Sequence, residues 1–542
     1  MRNPVGNHLN RQPLRIADRL VPSLAVTHNA RKLESFGDPT SILLAVEINR
    51  QIHSSIITPT NQPIFLLIIS PMLRLSLFCL APLLIFAAST MPPETDQRLA
   101  HDIYKEIVEI KSGYTTGATT PVAEAVAKRL RAAGFPESDL FLGGAIPTKG
   151  NLVVRYHGTG RLKPILLLAH IDVVEAKRED WSMDPFTFTE KDGYFYGRGT
   201  GDDKAQAAVW IANLIRYRRE GYKPDRDIIV ALTADEEGGG PYNGVAWLLK
   251  NHRELIDAEY CLNEGGRGIL VDGKRVANEI QAAEKWVLDL RLEVRNKGGH
   301  SSMPVADNAI YHLAGALVRL SQYAFPLKTN EVTREHFAGM AKIDTTGASA
   351  DLAKVAQNDP DAMQRIAAIS PLWNSMLRTT CVATMLEGGH ARNALPQLAA
   401  ANVNCRVQPD ETIDSVLATL KSVIADDQVK ISITNHQDNT PASELRPDVV
   451  QAVTRLTDTM WPGVVVLPTM ITGATDGRYL RLGGIPTYGV QGFFIERDDP
   501  RFHGRDERML ATSFYEGQTF LYELVKSLSI CRPASRPLNY AH

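Results

Sequence analysis

Ile165-Leu166-Leu167-Leu168-Ala169-His170-Ile171-Asp172 runs five apolar residues without a break into an imidazole, with a carboxylate two residues further on. An unbroken apolar run this short reads as a strand buried on both faces, as in a parallel sheet. Asn151 to Tyr156, Ile228 to Thr233 and Tyr260 to Leu262 repeat the pattern. Between them Ala208, Ile211, Ala212 and Ile215 follow the i, i+3, i+4, i+7 spacing of a helix stripe, and Tyr114 to Ala133 includes another helical stretch. Alternating strands and helices define an α/β architecture with a largely parallel sheet. Such sheets carry ligands beyond the carboxyl ends of their strands. His170 ends one strand, Glu236 and Glu237 follow another, and Glu264 follows a third.

Near residue 285 the pattern changes. Trp286 to Arg295 alternates strictly, with Leu288, Leu290, Leu292 and Val294 on one face, as a half-exposed antiparallel strand does. A helix over Asn308 to Tyr323, a long polar helical region between Lys328 and Arg378, and strands near Ala399 to Val407 and Val429 to Thr434 follow. These features predict a catalytic domain over 95–284 and 441–530, with an α+β sandwich lid inserted at 285–440. Val449, Ala452, Val453 and Leu456 restore the helical stripe of the first domain.

The 542 residues exceed one ordinary core, and the net charge of −2 carries no block of one sign. Nothing therefore points to nucleic acid, and a small molecule is the expected partner. The cysteines Cys79, Cys261, Cys381, Cys405 and Cys531 are scattered without a CxxC pair. That spacing argues against a disulfide framework or a thiolate zinc site, and leaves His and carboxylates as ligands for zinc, manganese or cobalt.

Residues 1–71 show no sustained period and are expected to be a non-native or disordered extension. Met72-Leu73-Arg74 leads into apolar Leu75 to Phe86 and then Ala87-Ala88-Ser89, the form of a secretory signal peptide over 72–89. The expectation is a true start at Met72 and a periplasmic or secreted enzyme. The alternative is a membrane anchor, since Ile64 to Ile69 is also apolar.

Taken singly, the motifs are modest. His170-Ile171-Asp172 sets an imidazole and a carboxylate on one side of an extended segment. Gly197-Arg198-Gly199-Thr200-Gly201-Asp202-Asp203-Lys204 turns tightly into a helix start, where a carboxylate can cap or bind a cation. Asp235-Glu236-Glu237 packs like charges at a strand end, which cations or a shared proton would relieve. Together with Glu264 and His503 they read as a two-metal hydrolytic site.

These motifs, with Trp181, Asp184-Pro185-Phe186, Gly299-His300-Ser301-Ser302-Met303-Pro304, Asn393-Ala394-Leu395-Pro396 and His503-Gly504-Arg505-Asp506-Glu507, resemble metallopeptidase family twenty over about residues 95–530. That group holds the aminoacylases, dipeptidases, glutamate carboxypeptidases and succinyl-diaminopimelate desuccinylases. The resemblance implies a dinuclear zinc-peptidase fold with two Zn2+ (Co2+ or Mn2+ as substitutes). One ion would be held by His170, Asp202 and Glu264, the other by Asp202, Glu237 and His503. It further implies Glu236 as general base on a bridging water, Asp172 orienting His170, and His300 of the lid as oxyanion donor, from the same chain or across a homodimer. Asn393, Arg406 and the loop containing Gly473, Thr475 and Arg478 resemble substrate-binding positions, either arginine being suited to a carboxylate. A cis peptide between Asp202 and Asp203 is also implied.

The expected activity is exopeptidase hydrolysis of dipeptides or small peptides with a free C-terminal carboxylate. The nearest alternative is an aminoacylase-type hydrolase of N-acyl amino acids. A non-catalytic binding protein of the same fold has no use for a base beside two metals, and a single-metal hydrolase would need only half the ligands.

Overall fold

The computed structural model describes residues 90–531. The segments read as extension and as signal peptide or anchor lie outside the described residues. Among the described residues no helix is long and apolar enough to cross a membrane.

The first catalytic segment contains α1 (Glu94–Glu109), α2 (Thr120–Ala132), β1 (Leu140–Gly144), β2 (Gly150–Tyr156), β3 (Ile165–His170), β4 (Thr189–Lys191), β5 (Tyr194–Tyr196) and α3 (Lys204–Glu220). It continues through β6 (Ile228–Thr233), α4 (Gly244–Asn251), α5 (Arg253–Ile256), β7 (Tyr260–Asn263), β8 (Gly268–Val271) and β9 (Lys274–Glu284). All six residues of β3 and of β6 are buried, as a strand covered on both faces requires. Helix α3 is sunk so deeply that Ala207, Ala208, Val209, Trp210, Ile211 and Ala212 are all buried.

The lid begins at β10 (Trp286–Arg295) and β11 (Gly299–His300), followed by α6 (Ala309–Gln322). An insertion of four helices comes next: α7 (Glu331–Ile343), α8 (Ser349–Val355), α9 (Pro360–Ile369) and α10 (Pro371–Leu377). The lid resumes with β12 (Thr380–Gly388), β13 (Ala394–Leu395), β14 (Leu398–Val407), α11 (Ile413–Ile424) and β15 (Lys430–His436). The chain then returns through α12 (Pro447–Met460), β16 (Val465–Ile471), α13 (Gly477–Leu482), β17 (Thr487–Gly489), β18 (Phe494–Glu496), β19 (Arg508–Leu510) and α14 (Ala511–Leu528).

The main sheet is ordered β1-β2-β6-β3-β7-β17-β9-β8-β18, with β16 also paired to β9. Its middle, β6-β3-β7-β17, is parallel, so the carboxyl ends of β3, β6 and β7 open on the same side. The lid sheet is ordered β12-β14-β10-β15, and β10 buries alternate residues from Trp286 to Val294 against α6 and α11, the half-exposed strand expected from its pattern.

Two results depart from the sequence reading. The disfavoured disulfide exists: Cys381 and Cys405 are 24 residues apart in the chain, but β12 and β14 place them opposite one another, Cα atoms 4.0 Å apart, and they are bonded. Spacing along a chain does not report strand register, which is what pairs them. The polar helical region, expected to lengthen the lid, packs through α7 on β16 of the catalytic domain. Gly339 permits the approach, since a Cβ there would come within 2.3 Å of the Leu467 side chain. The insertion leaves and rejoins the lid at one place, where the Lys328 N–H donates to the Leu377 carbonyl at 2.8 Å.

Candidate metal centre

Three loops at the carboxyl ends of β3, β6 and β7 meet the glycine-rich turn before α3 and the loop holding His503. His170 Nε2 lies 2.9 Å from Asp202 Oδ1 and 3.9 Å from Glu264 Oε1. His503 Nε2 lies 3.1 Å from the other Asp202 oxygen and 3.1 Å from Glu237 Oε1. Two groups able to hold a metal ion result, His170-Asp202-Glu264 and Asp202-Glu237-His503, each with donor atoms within 4.8 Å of one another. Asp202 belongs to both. The peptide joining it to Asp203 is cis.

The donor set fits cations. Burial raises the Glu236 and Glu264 carboxyls well above the usual range, and neighbouring carboxylates push the same way, Glu264 on Glu236 and Asp202 on Glu264. At Asp202 burial pulls upward too, but hydrogen bonds from His170 and His503 outweigh it and hold the carboxyl low. Hydrogen bonds to Asp202 and Glu237 lift His503 to about 10. The pocket attracts positive charge at the very nitrogens and oxygens that would coordinate an ion.

Asp172 divides its contacts. His170 Nδ1 is 3.0 Å from the Asp172 carbonyl and 3.7 Å from its carboxylate, whose two oxygens accept the backbone N–H groups of Glu236 and Glu237, each at 3.1 Å. Fully buried, it thus ties β3 to the loop of the candidate base.

Glu507 was part of a motif but had no assigned task. Its carboxylate accepts the backbone N–H groups of Gly199 (3.1 Å), Gly201 (2.7 Å) and Asp202 (3.1 Å), and pairs with Arg198 at 2.6 Å. It therefore shapes the turn that presents Asp202. Glu284 was missed altogether. It accepts the Thr475 N–H and hydroxyl, each at 3.0 Å, and pairs with buried Arg481 at 2.8 Å, so it anchors the loop after β16. A motif rich in glycine needs outside acceptors for its exposed N–H groups, and that need was the available signal.

The cavity over the two groups has a volume of about 370 Å³, and its lining includes Asp202, Glu236, Glu237, Glu264, Gly473, Thr475 and His503. Six expected site residues do not line it, and of these His170 and Asp172 lie buried directly behind it. Arg478 is buried against Tyr479 beside a separate cleft with Gly238 and Gln437. Arg406 is half-buried on β14. His300 and Asn393 are exposed on the lid, where the Asn393 carbonyl accepts the Ser301 N–H and His300 Nδ1 contacts the Ser302 hydroxyl at 2.7 Å.

The fold and this metal-ready pocket define a hydrolase of the metallopeptidase and amidohydrolase class. The chain belongs to peptidase family M20/M25/M40, whose family model matches residues 166–527. It is 31% identical over 357 residues to the N-fatty-acyl-amino acid synthase/hydrolase PM20D1 of Xenopus tropicalis, covering 64% of this chain and 69% of the relative. It is also 31% identical over 405 residues to the "Probable carboxypeptidase S-like 2" of Dictyostelium discoideum, covering 72% and 77%. The solved M20 family metallo-carboxypeptidase Sso-CP2 of Sulfolobus solfataricus shares the fold, with a TM-score of 0.59 at 18% identity over 79% of this chain and 98% of that one.

Proposed function

We propose that the protein is a two-metal amidohydrolase that cleaves the amide of an N-acyl amino acid, releasing a carboxylic acid and a free amino acid. The observation that carries this reading is Glu236, which lines one cavity with Asp202, Glu237, Glu264 and His503 of the two donor groups joined through Asp202. His170, Asp202 and Glu264 would hold one cation, and Asp202, Glu237 and His503 the other. Zinc suits these nitrogen and oxygen donors, with Co2+ or Mn2+ as substitutes. When bound, the cations polarise the scissile carbonyl and make water more acidic.

The chain's own groups do the rest. Glu236 takes a proton from the attacking water as its oxygen bonds to the carbonyl carbon, then returns it to the departing nitrogen as the C–N bond breaks. Gly473 and Thr475 line the approach for substrate. His300 and Asn393 act when the lid brings its edge to the cavity, His300 donating to the oxyanion.

A dipeptide or small-peptide substrate is the second reading, favoured by the carboxypeptidase S-like relative. Both substrates present an amide beside a free carboxylate. Assaying a dipeptide panel beside acylated amino acids with the zinc-loaded protein separates them, and Glu236→Gln tests the chemistry. It is expected to cut turnover by about 10² to 10⁴ with metal still bound; undiminished turnover removes Glu236 as the base.

We also propose a homodimer through the lid. Among the described strands, β12 is an edge of its sheet and exposes Val382, Met385 and Leu386, beside Ile310 and Tyr311 of α6. Met385→Arg is expected to yield a monomer in light scattering. The Cys381–Cys405 disulfide supports export to the periplasm or the medium, where such bonds persist. N-terminal sequencing of exported protein tests this, and residues upstream of Met72 would contradict the signal reading.

A further inference from the structure

A second chamber of about 410 Å³ adjoins the metal cavity. Arg267, Glu279, His336 and Leu372 line both, so the two chambers meet along these four residues. Beyond them the wall is mainly apolar, with Ile269 and Ile495 from the sheet, Met340 from α7, Trp373 from α10, and Pro500, while Glu496 and Arg497 also border it. The helical insertion supplies one side of this wall and the sheet the other.

Three of these four border residues are polar, and burial pushes the Glu279 carboxyl up to about 7 against the opposing pull of Arg267. His336 is buried, its Nδ1–H donates to the Pro468 carbonyl at 3.1 Å, and burial lowers its pKa to about 4, so it is uncharged at neutral pH. Arg267 lies over the Phe502 ring, 4.9 Å from its centroid. Leu372, at the junction of the two chambers, is 56% exposed. That is apolar surface on the path out of the metal cavity, left for something else to cover.

We propose that this chamber is the acyl-chain subsite, and that the insertion makes the enzyme selective for amino acids carrying a long unbranched acyl group. The proposal rests on the N-acyl amino acid reading above. The scissile carbonyl sits over the metal groups while the chain passes Leu372 and lies against Trp373, Met340, Ile269 and Ile495. Each methylene entering the chamber leaves water, which corresponds to roughly a fourfold gain in kcat/KM per carbon until the space is filled.

The test is an acyl series from acetyl to decanoyl on one amino acid, run on the full zinc-loaded protein and on Leu372→Asp. The decanoyl-to-acetyl ratio of kcat/KM is expected to be large in the wild type and at least tenfold smaller in the variant. Cleavage of acetyl substrates with no dependence on chain length overturns the subsite and leaves the N-acyl reading intact. Cleavage of dipeptides alone, with every N-acyl amino acid refused, overturns the N-acyl reading and the subsite with it. Binding of dansylaminoundecanoic acid, read by fluorescence, reports on the chamber without turnover. It is expected to weaken about tenfold in Leu372→Asp, and equal affinity in the two proteins overturns the proposal.

Discussion

The carboxylate of Asp172 accepts the backbone N–H of Glu236 at 3.1 Å. The candidate base is therefore held by its main chain from the segment that follows His170, so the candidate base and a candidate ligand share one mount. Glu237 is held in the same way by the other oxygen.

Asp172→Asn offers one acceptor oxygen where two are used and turns an NH₂ toward a backbone N–H. Turnover should fall roughly 10- to 100-fold, the usual effect of disturbing a ligand's support. Steady-state kinetics should show the loss mainly in kcat, because the substrate contacts are untouched. A change confined to KM would contradict this positioning role.

Glu507→Gln should unfold more readily and bind metal more weakly. It leaves Arg198 charged and buried, with the pair's side chains only 3% and 1% exposed. Losing one partner of such a pair costs about 3 kcal/mol. Denaturant melts and zinc titration check both effects, and normal zinc affinity would show that the Asp202 turn keeps its shape without Glu507.

Removal of metal by a chelator should abolish activity and lower the melting temperature. A ligand at a thousandfold excess over its Kd adds about 4 kcal/mol of stability. Elemental analysis of the active protein should give two ions per chain, and Glu237→Ala should retain fewer. Full activity with one ion would support a single-metal enzyme.

His336 makes stability depend on pH with a definite sign. Its folded pKa, about 4, lies below the ordinary value of 6.5, so the unfolded chain binds the proton that the native one refuses. The contribution is complete above pH 6.5 and is lost as pH falls toward 4. It amounts to roughly 3 kcal/mol, about 1.4 for each pH unit of that gap. Denaturant midpoints of wild type and His336→Asn should converge as the pH is lowered through this window; parallel curves would assign the acid loss elsewhere.

Much of the catalytic scaffold was legible because its signals are local. An uninterrupted apolar strand followed by a His or acidic pair says where a ligand can stand, and β3, β6 and β7 present His170, Glu236, Glu237 and Glu264 as their order suggested. What escaped depends on partners far away in the chain. Glu507 meets Gly199 across 308 positions, and Glu284 meets Thr475 across 191. Cys381 meets Cys405 through strand register. Period and spacing describe the face that an element buries, not what it is buried against. The helical insertion shows this well: its polar composition suggested a longer lid, whereas the apolar face of α7 settles on β16.

The hydrogen bond between Lys328 and Leu377 closes the base of that insertion. Its two ends are neighbours, so a shorter or longer segment can join the same two points, at the cost of uncovering the face of β16 on which α7 packs. A family built this way can diversify what it accepts by trading a cassette while the chemistry stays fixed. The same junction gives an experimenter a place to graft one relative's preference onto another's catalytic frame.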